Sequence, residues 1–333
     1  MDPTDPRAGQ ARTRREEETM RVGVDVGGTK IEAIALDALG VELQRIRKPT
    51  PKGDYPGTIA TIAGLVRELE AMAGQTGTVG VGIPGTIVGS TGLVKNANST
   101  WMNGRALQQD LSRELDREVR CANDANCFAV SEATDGAGRG YQVVFGVILG
   151  TGCGGGVSIS GQIHTGPNGL CGEWGHTPLP WPTAEESPGA LCYCGRHGCL
   201  ETWISGTGLE WDFARVTSRN LRGPEIVAAA ETGDEEAQQA LNRLIERMAR
   251  GLSTVVNVLD PDAIVIGGGL SNLKRLYDGE LALRLRDYGF GGGVETPILR
   301  NQHGDSSGVR GAAWLWPLQR EDAGLGDGSK AFA

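Results

Sequence analysis

Val22, Val24 and Val26 alternate with other residues, a pair of glycines follows, and apolar positions resume at Ile31, Ala33, Ile34 and Leu36. A period of two interrupted by Gly27-Gly28 predicts a strand, a glycine turn and a returning strand. Between residues 56 and 74 the spacing changes. Ile59, Ile62, Val66 and Leu69 recur at three and four residues, which is one face of a helix. The segment GTVGVGIPGTI reads as a short strand ending at Pro84-Gly85. Leu107, Leu111 and Leu115 place a helix within 104–116, and EVRCAND reads as a strand running into a helix that starts near Asp124.

The pattern then restarts. VVFGVILGTGCGGGVSISG is again an apolar strand, a glycine turn and a second strand. Residues 235–259 carry Leu241, Leu244, Ile245, Met248, Leu252, Val255 and Val256 on one helical face, and DAIVIGGGLS is a strand ending in a glycine turn. Two halves that each open with a strand, glycine turn and strand imply a duplicated α/β architecture with a cleft between the halves. No short-period repeat is evident.

Composition narrows the function. The 333 residues suffice for one large domain or two medium ones. The net charge is −9 and no Lys/Arg block lies in the body of the chain, which argues against a nucleic-acid partner. No apolar run is long enough to span a bilayer, and the polar opening MDPTDPRAGQARTRREEETM lacks the apolar stretch of a secretory signal. A cytoplasmic protein is therefore expected. Residues 1–19 are expected to be a disordered tail, with Met20 beginning the fold, and 321–333 a flexible C-terminus. The seven cysteines are odd in number, which makes a disulfide framework improbable in that compartment. Cys121, Cys127, Cys153 and Cys171 are scattered, as small buried hydrophobes usually are. Cys192, Cys194 and Cys199 differ, because C-x-C-x4-C on a glycine-rich loop suits tetrahedral zinc. A fourth ligand could come from His164, His176, His197 or Cys171.

Three glycine turns follow apolar strands: Gly27-Gly28-Thr29-Lys30, Gly150-Thr151-Gly152 and Gly267-Gly268-Gly269. Without a Cβ, such turns let backbone N–H groups approach phosphate oxygens. A Walker A loop is excluded because Thr29 precedes Lys30. GTGCGG at 150–155 matches a dinucleotide fingerprint in letters only, since an alternating strand pattern follows where a helix should open.

D-V-G-G-T-K at 25–30, N-D-A-N at 123–126, G-T-G at 150–152, E-W-G-H at 173–176 and C-Y-C-G-R-H-G-C-L-E at 192–201 resemble the ROK family of bacterial sugar kinases and repressors. The resemblance runs from about Met20 to Pro317. VKNANSTWMNG and HGDSSGVRGAAWLWP look closer still to its manno(fructo)kinases. It implies a duplicated actin-like ATPase (ribonuclease H-like) fold. A small α/β domain would comprise 20–121 plus 309–320, and a large one 122–308 with a zinc loop at 171–201. It also implies ATP-dependent phosphorylation of a hexose with Mg²⁺, a structural zinc on His176, Cys192, Cys194 and Cys199, and a homodimer.

By the same resemblance Asp124 is the base that accepts the proton of the sugar hydroxyl. Gly85, Asn98, Asn123, Glu173, His176 and Glu201 would contact the sugar. Asp25 would help place Mg²⁺. Gly27, Gly28, Thr29, Lys30, Thr151 and Gly152 would cradle phosphates, and Gly267, Gly268 and Gly269 would let adenosine lie against backbone. Read from residue type alone, Asp124 is equally an N-cap, and Glu173 and Glu201 equally solvated carboxylates. The expected substrate is D-fructose, phosphorylated on O6, with mannose and glucose slower. N-acetylglucosamine is expected to be poor, because no partner for an acetamido group is evident. A glucokinase or N-acetylhexosamine kinase of the same family is the alternative. A ROK repressor is disfavoured, since the 24 residues before Asp25 carry no helix-turn-helix pattern.

Overall fold

The computed structural model describes residues 20–316, so the expectations for 1–19 and 321–333 fall outside the described residues. β1 (Arg21–Val26) and β2 (Lys30–Leu36) pair antiparallel about the Gly27-Gly28 turn, and β3 (Glu42–Pro49) adds antiparallel to β2. α1 (Tyr55–Ala73) starts where the Asp54 side chain accepts from Gly57 N and ends at Gly74, whose φ is 68°. It buries Ile62, Leu65, Val66 and Leu69. β4 (Thr78–Ile83) lies parallel to β1. The small hairpin β5 (Thr86–Ile87) and β6 (Val94–Lys95), then α2 (Leu107–Glu114), lead to β7 (Val119–Asn123), parallel to β4. α3 (Asp124–Thr134) leaves β7 with no intervening loop.

The second half repeats this plan. β8 (Val143–Leu149), β9 (Cys153–Ile159) and β10 (Gln162–Ile163) form an antiparallel meander. A long irregular segment follows, then α4 (Glu201–Ile204), α5 (Gly206–Thr217), α6 (Gly223–Glu231) and α7 (Glu235–Leu259). β11 (Ala263–Gly267) pairs parallel to β8, α8 (Glu280–Tyr288) intervenes, β12 (Ile298–Arg300) pairs parallel to β11, and α9 (Ser307–Ala313) closes the described chain. The strand orders are β3-β2-β1-β4-β7 and β10-β9-β8-β11-β12. Each sheet is a three-stranded meander with two parallel strands added beyond its first strand. The duplication inferred from the glycine hairpins is therefore present in the topology.

α3 and α9 form the layer between the sheets. α9 packs on β1 and β4, α3 packs on β8 and β9, and the two helices pack on each other. The approach is close enough that no side chain fits. A Cβ on Gly311 would lie 1.7 Å from the carbonyl oxygen of Cys127, and one on Gly80 would lie 1.8 Å from that of Ala312. The far end of α3 is tied to α9 by charge. The buried Glu132 carboxylate accepts from Ser307 Oγ at 2.8 Å and from the amides of Ala137 and Gln302 at 2.9 and 3.0 Å. Asp135 accepts from Trp314 Nε1 at 2.9 Å and pairs with Arg310 and His303. Among the described residues no helix is long and apolar enough to cross a membrane.

This packing predicts a sharp contrast between two glycines. Gly311→Ala places a methyl inside backbone that cannot yield, and should lower stability by ~3 kcal/mol or more. Gly64→Ala, in α1 with open space around its Cβ position, should raise it by ~0.5–1 kcal/mol. Urea melts of the two variants check both signs.

Candidate functional site

A cleft of about 740 Å³ opens between the two sheets. It is lined by Gly85, Asn98, Asn123, Asp124, Thr151, Gly152, Glu173, His176 and Glu201 among others. Residues 116 positions apart in sequence thus face one space. Each is held by a traceable contact. Asn123, not Asp124, caps α3: its Oδ1 accepts from Ala125 N at 2.9 Å while its Nδ2 donates to Gly85 O at 3.1 Å. Asp124 is the first residue of the helix, so the N-cap reading of Asp124 is corrected by one position. The loop carrying Asn98 is fixed by Asn103, which accepts from Ala97 N at 2.8 Å and donates to Ala97 O at 3.1 Å.

The opposite wall is built on β9. Glu201 Oε2 accepts from Cys153 N at 2.9 Å, so this carboxylate is anchored rather than freely solvated. The 3₁₀ turn Trp174–His176 is pinned by Trp174, which is buried, donates from Nε1 to Gly154 O at 3.1 Å and meets Phe145 edge-on at 5.6 Å. That turn sets Glu173 and His176 on the cleft wall. Nothing in the periodicity marked Trp174 for this work.

Asp124 is exposed to the solvent of the cleft, although protein is dense around its carboxyl. Burial therefore raises its carboxyl above the ordinary range, although hydrogen bonds from Ala125 N and Asn123 oppose this. Asp25, at the end of β1, is raised to about 6, first by burial and then by the negative charges of Asp124 and Glu32. Glu173 is raised by burial, with Asp124 and Glu201 adding to it and His176 opposing. Crowded carboxylates of this kind suit a divalent cation beside Asp25 and Asp124, because a cation offsets the repulsion between them.

The glycine turns divide. Thr151 and Gly152 face the cleft. Gly27, Gly28, Thr29 and Lys30 lie outside its lining, and Lys30 pairs with Glu32 at 3.2 Å. Gly268 and Gly269 line a separate polar cavity of about 530 Å³ with Ser271, Asn272, Arg300, Asn301, Gln302 and Gly304. Gly267 does not reach it. A Cβ there would lie 2.4 Å from the Phe128 ring, so Gly267 is a packing glycine between β11 and α3, which corrects its expected place beside a nucleoside.

His176, Cys192, Cys194 and Cys199 place one ligand atom each within 4.8 Å of one another. Cys192 Sγ is 3.5 Å from His176 Nδ1, and Cys194 Sγ is 3.6 Å from Cys199 Sγ. Zinc–sulfur bonds of ~2.3 Å in a tetrahedron put sulfurs ~3.8 Å apart, so the donor set fits zinc. His197 is exposed and turns to Gly189 O at 3.1 Å; neither it nor His164 or Cys171 belongs to the group. All seven cysteines are free. The strap between His176 and Cys192 is docked on α7 through Glu186. That carboxylate accepts from Arg250 Nη2 and Arg247 Nε, both at 2.8 Å, and Arg247 continues to Asp212 at 3.1 Å. Burial alone would raise Glu186, but the hydrogen bonds from Arg250 and Arg247 outweigh it and hold the group at about 2. Tyr193, between two of the cysteines, also lines the cleft, and its hydroxyl sits 2.8 Å from His176 Nε2. Sequence pattern did not single out Tyr193 either.

A model described as the ROK family matches residues 21–319. The chain is 42% identical over 303 residues to an N-acetyl-D-glucosamine kinase of Yersinia enterocolitica, spanning 89% of this chain and 99% of that protein. It is 40% identical over 300 residues to an N-acetyl-D-glucosamine kinase of Pectobacterium atrosepticum, spanning 89% and 98%. Among solved structures it is similar to a ROK hexokinase from Thermus thermophilus, with a TM-score of 0.80 and 30% identity over 89% of this chain and 97% of that one. A ROK family glucokinase from Streptomyces griseus, in complex with glucose and AMPPNP, gives 0.69 and 28% over 89% and 98%.

The raised Asp25 carboxyl fixes a pH dependence. It binds its proton more tightly in the folded chain than in the unfolded one, so its contribution favours folding below about pH 4 and is lost as pH rises through about 6. Asp25→Asn removes that loss. In metal-free protein it should raise stability by ~1–3 kcal/mol at pH 7 and by little at pH 4. Melts at both pH values check this.

Proposed function

Since the chain belongs to the ROK family, we propose that it is a sugar kinase transferring the γ-phosphoryl group of ATP to a terminal hydroxyl of an N-acetylhexosamine, N-acetyl-D-glucosamine before fructose. The observation that carries the kinase reading is the single cleft. It sets Asp124 at the start of α3 against Asn98, Asn123, Glu173, His176 and Glu201, with the Thr151-Gly152 turn at its edge. A sugar hydroxyl is a poor nucleophile at neutral pH. A carboxylate whose pKa is raised is a better proton acceptor than an ordinary one, and burial shifts Asp124 in that direction. Thr151 and Gly152 would bind phosphate oxygens through the hydroxyl and amide. Asp25 would hold Mg²⁺, whose charge would neutralise the phosphates. The cavity at Gly268 and Gly269 would take the nucleoside, and Gly27 to Lys30 would meet phosphate only if the two sheets approached one another.

The choice of sugar rests on the relatives named N-acetyl-D-glucosamine kinase, which are 40–42% identical over 89% of this chain. The two segments that carry the resemblance to manno(fructo)kinases also supply little of the cleft lining. Of these, HGDSSGVRGAAWLWP supplies α9 and its contacts to Glu132 and Asp135, which are scaffold. VKNANSTWMNG reaches the cleft only through Asn96, Ala97 and Asn98. The zinc would be structural, keeping His176 on the cleft wall without an open coordination position.

Three measurements follow. Asp124→Asn should lower kcat by about 10²-fold or more with sugar affinity largely kept; near-native turnover in folded protein would move the base elsewhere. The kcat/KM for N-acetylglucosamine should exceed those for fructose, mannose and glucose by tenfold or more at saturating MgATP. Fructose ahead of N-acetylglucosamine would overturn the sugar and leave the kinase standing. Cys194→Ser should abolish the one zinc per chain read by metal analysis and raise the sugar KM; full activity without zinc would remove the metal from the account.

A further inference from the structure

His176 has two ring nitrogens and both are engaged. Nδ1 faces Cys192 Sγ at 3.5 Å, inside the group of zinc donors. Only Nε2 remains for the cleft, and it already lies 2.8 Å from the Tyr193 hydroxyl. The two rings meet edge to face, with centroids 4.9 Å apart and planes at 87°. Tyr193 is otherwise little restrained, being 83% exposed on the cleft rim. A ring nitrogen offers one hydrogen-bonding site. It cannot serve a phenol and a sugar hydroxyl together.

We propose that Tyr193 caps the sugar end of the cleft in the free enzyme and must be displaced from His176 Nε2 when the sugar binds, so that this tyrosine sets sugar affinity. The inference rests on the sugar-kinase reading of the same cleft. The geometry supports displacement over a permanent bridge. The phenol occupies the position from which a sugar hydroxyl would reach Nε2, and the side chain is exposed enough to swing away without opening a cavity in the core. Glu173 Oε2 stands 4.0 Å from the same nitrogen, so a sugar entering there meets a carboxylate as well as the imidazole. Tyr193 is a positioning residue. It touches the histidine in the free state and leaves the reacting atoms alone.

Tyr193→Phe keeps the ring and its edge-on contact and removes only the competing hydroxyl. An internal hydrogen bond that the sugar must break costs about 1 kcal/mol, or roughly fivefold in affinity. The variant's kcat/KM for the sugar is expected to rise about 3–10-fold through a lower KM, with the KM for ATP and the zinc content as in the wild type. An unchanged or lower kcat/KM overturns the proposal, because the hydroxyl would then be idle or would itself hold the sugar. Loss of zinc in the variant also overturns it, since the hydroxyl would be steadying the metal ligand. Failure of the kinase reading is seen separately, as absence of sugar-dependent ATP consumption in the wild-type protein.

Discussion

The structure depends on how closely α3 and α9 approach each other and the two sheets. Helix axes normally lie 8–10 Å apart because side chains separate them. Here a glycine on α9 meets the backbone of α3, and a glycine of β4 meets the backbone of α9. Contact at backbone distance leaves little room for sliding. The first residue of α3 is Asp124, so this contact also fixes where that carboxylate stands relative to Asn98 on one side and His176 on the other. The Glu132 and Asp135 contacts secure the opposite end of the same helix. One rigid stack therefore carries both the union of the halves and the placement of the chemistry.

The cleft it creates is electrostatically uncomfortable. Asp124, Glu173 and Glu201 line a single space, and Asp25 feels the charge of Asp124; burial raises Asp25, Asp124 and Glu173, and neighbouring negative charge adds to the rise at Asp25 and Glu173. A site arranged for stability alone would not gather these charges. The arrangement becomes reasonable when the site receives a metal–phosphate complex and a polyol. A cation would offset the acids, and hydroxyls would satisfy their lone pairs. Strongly perturbed carboxylates gathered in a cleft are a common mark of a functional site.

The second costly feature is the ion network under the strap between His176 and Cys192. Buried ion pairs give little net stability, because desolvation consumes most of the Coulombic gain. Their value here is positional. Arg247 and Arg250 fork around Glu186 and hold the middle of a segment whose two ends carry His176 and Cys192. His176 and the three cysteines form the candidate metal group, while the arginines define where that group lies on α7 and hence where His176 meets the cleft.

Local physics sufficed for much of this. The glycine-broken valine alternation at 22–26, the leucine face of α7 and the C-x-C-x4-C spacing are short-range patterns, and strand, helix and ligand cluster each follow from spacing within one segment. The duplication was legible for the same reason, since each half repeats its own local signal. The roles of Trp174, Tyr193 and Glu186 were not legible, because each acts through a partner far along the chain and none sits in a distinctive pattern. The same limit misplaced Gly267, which looks like a ligand-facing turn until Phe128 is seen to fill the space beside it. The same holds for HGDSSGVRGAAWLWP, whose residues build α9 and its contacts to Glu132 and Asp135. A motif records that residues are constrained, and only the packing decides whether a ligand or a neighbouring helix imposes the constraint.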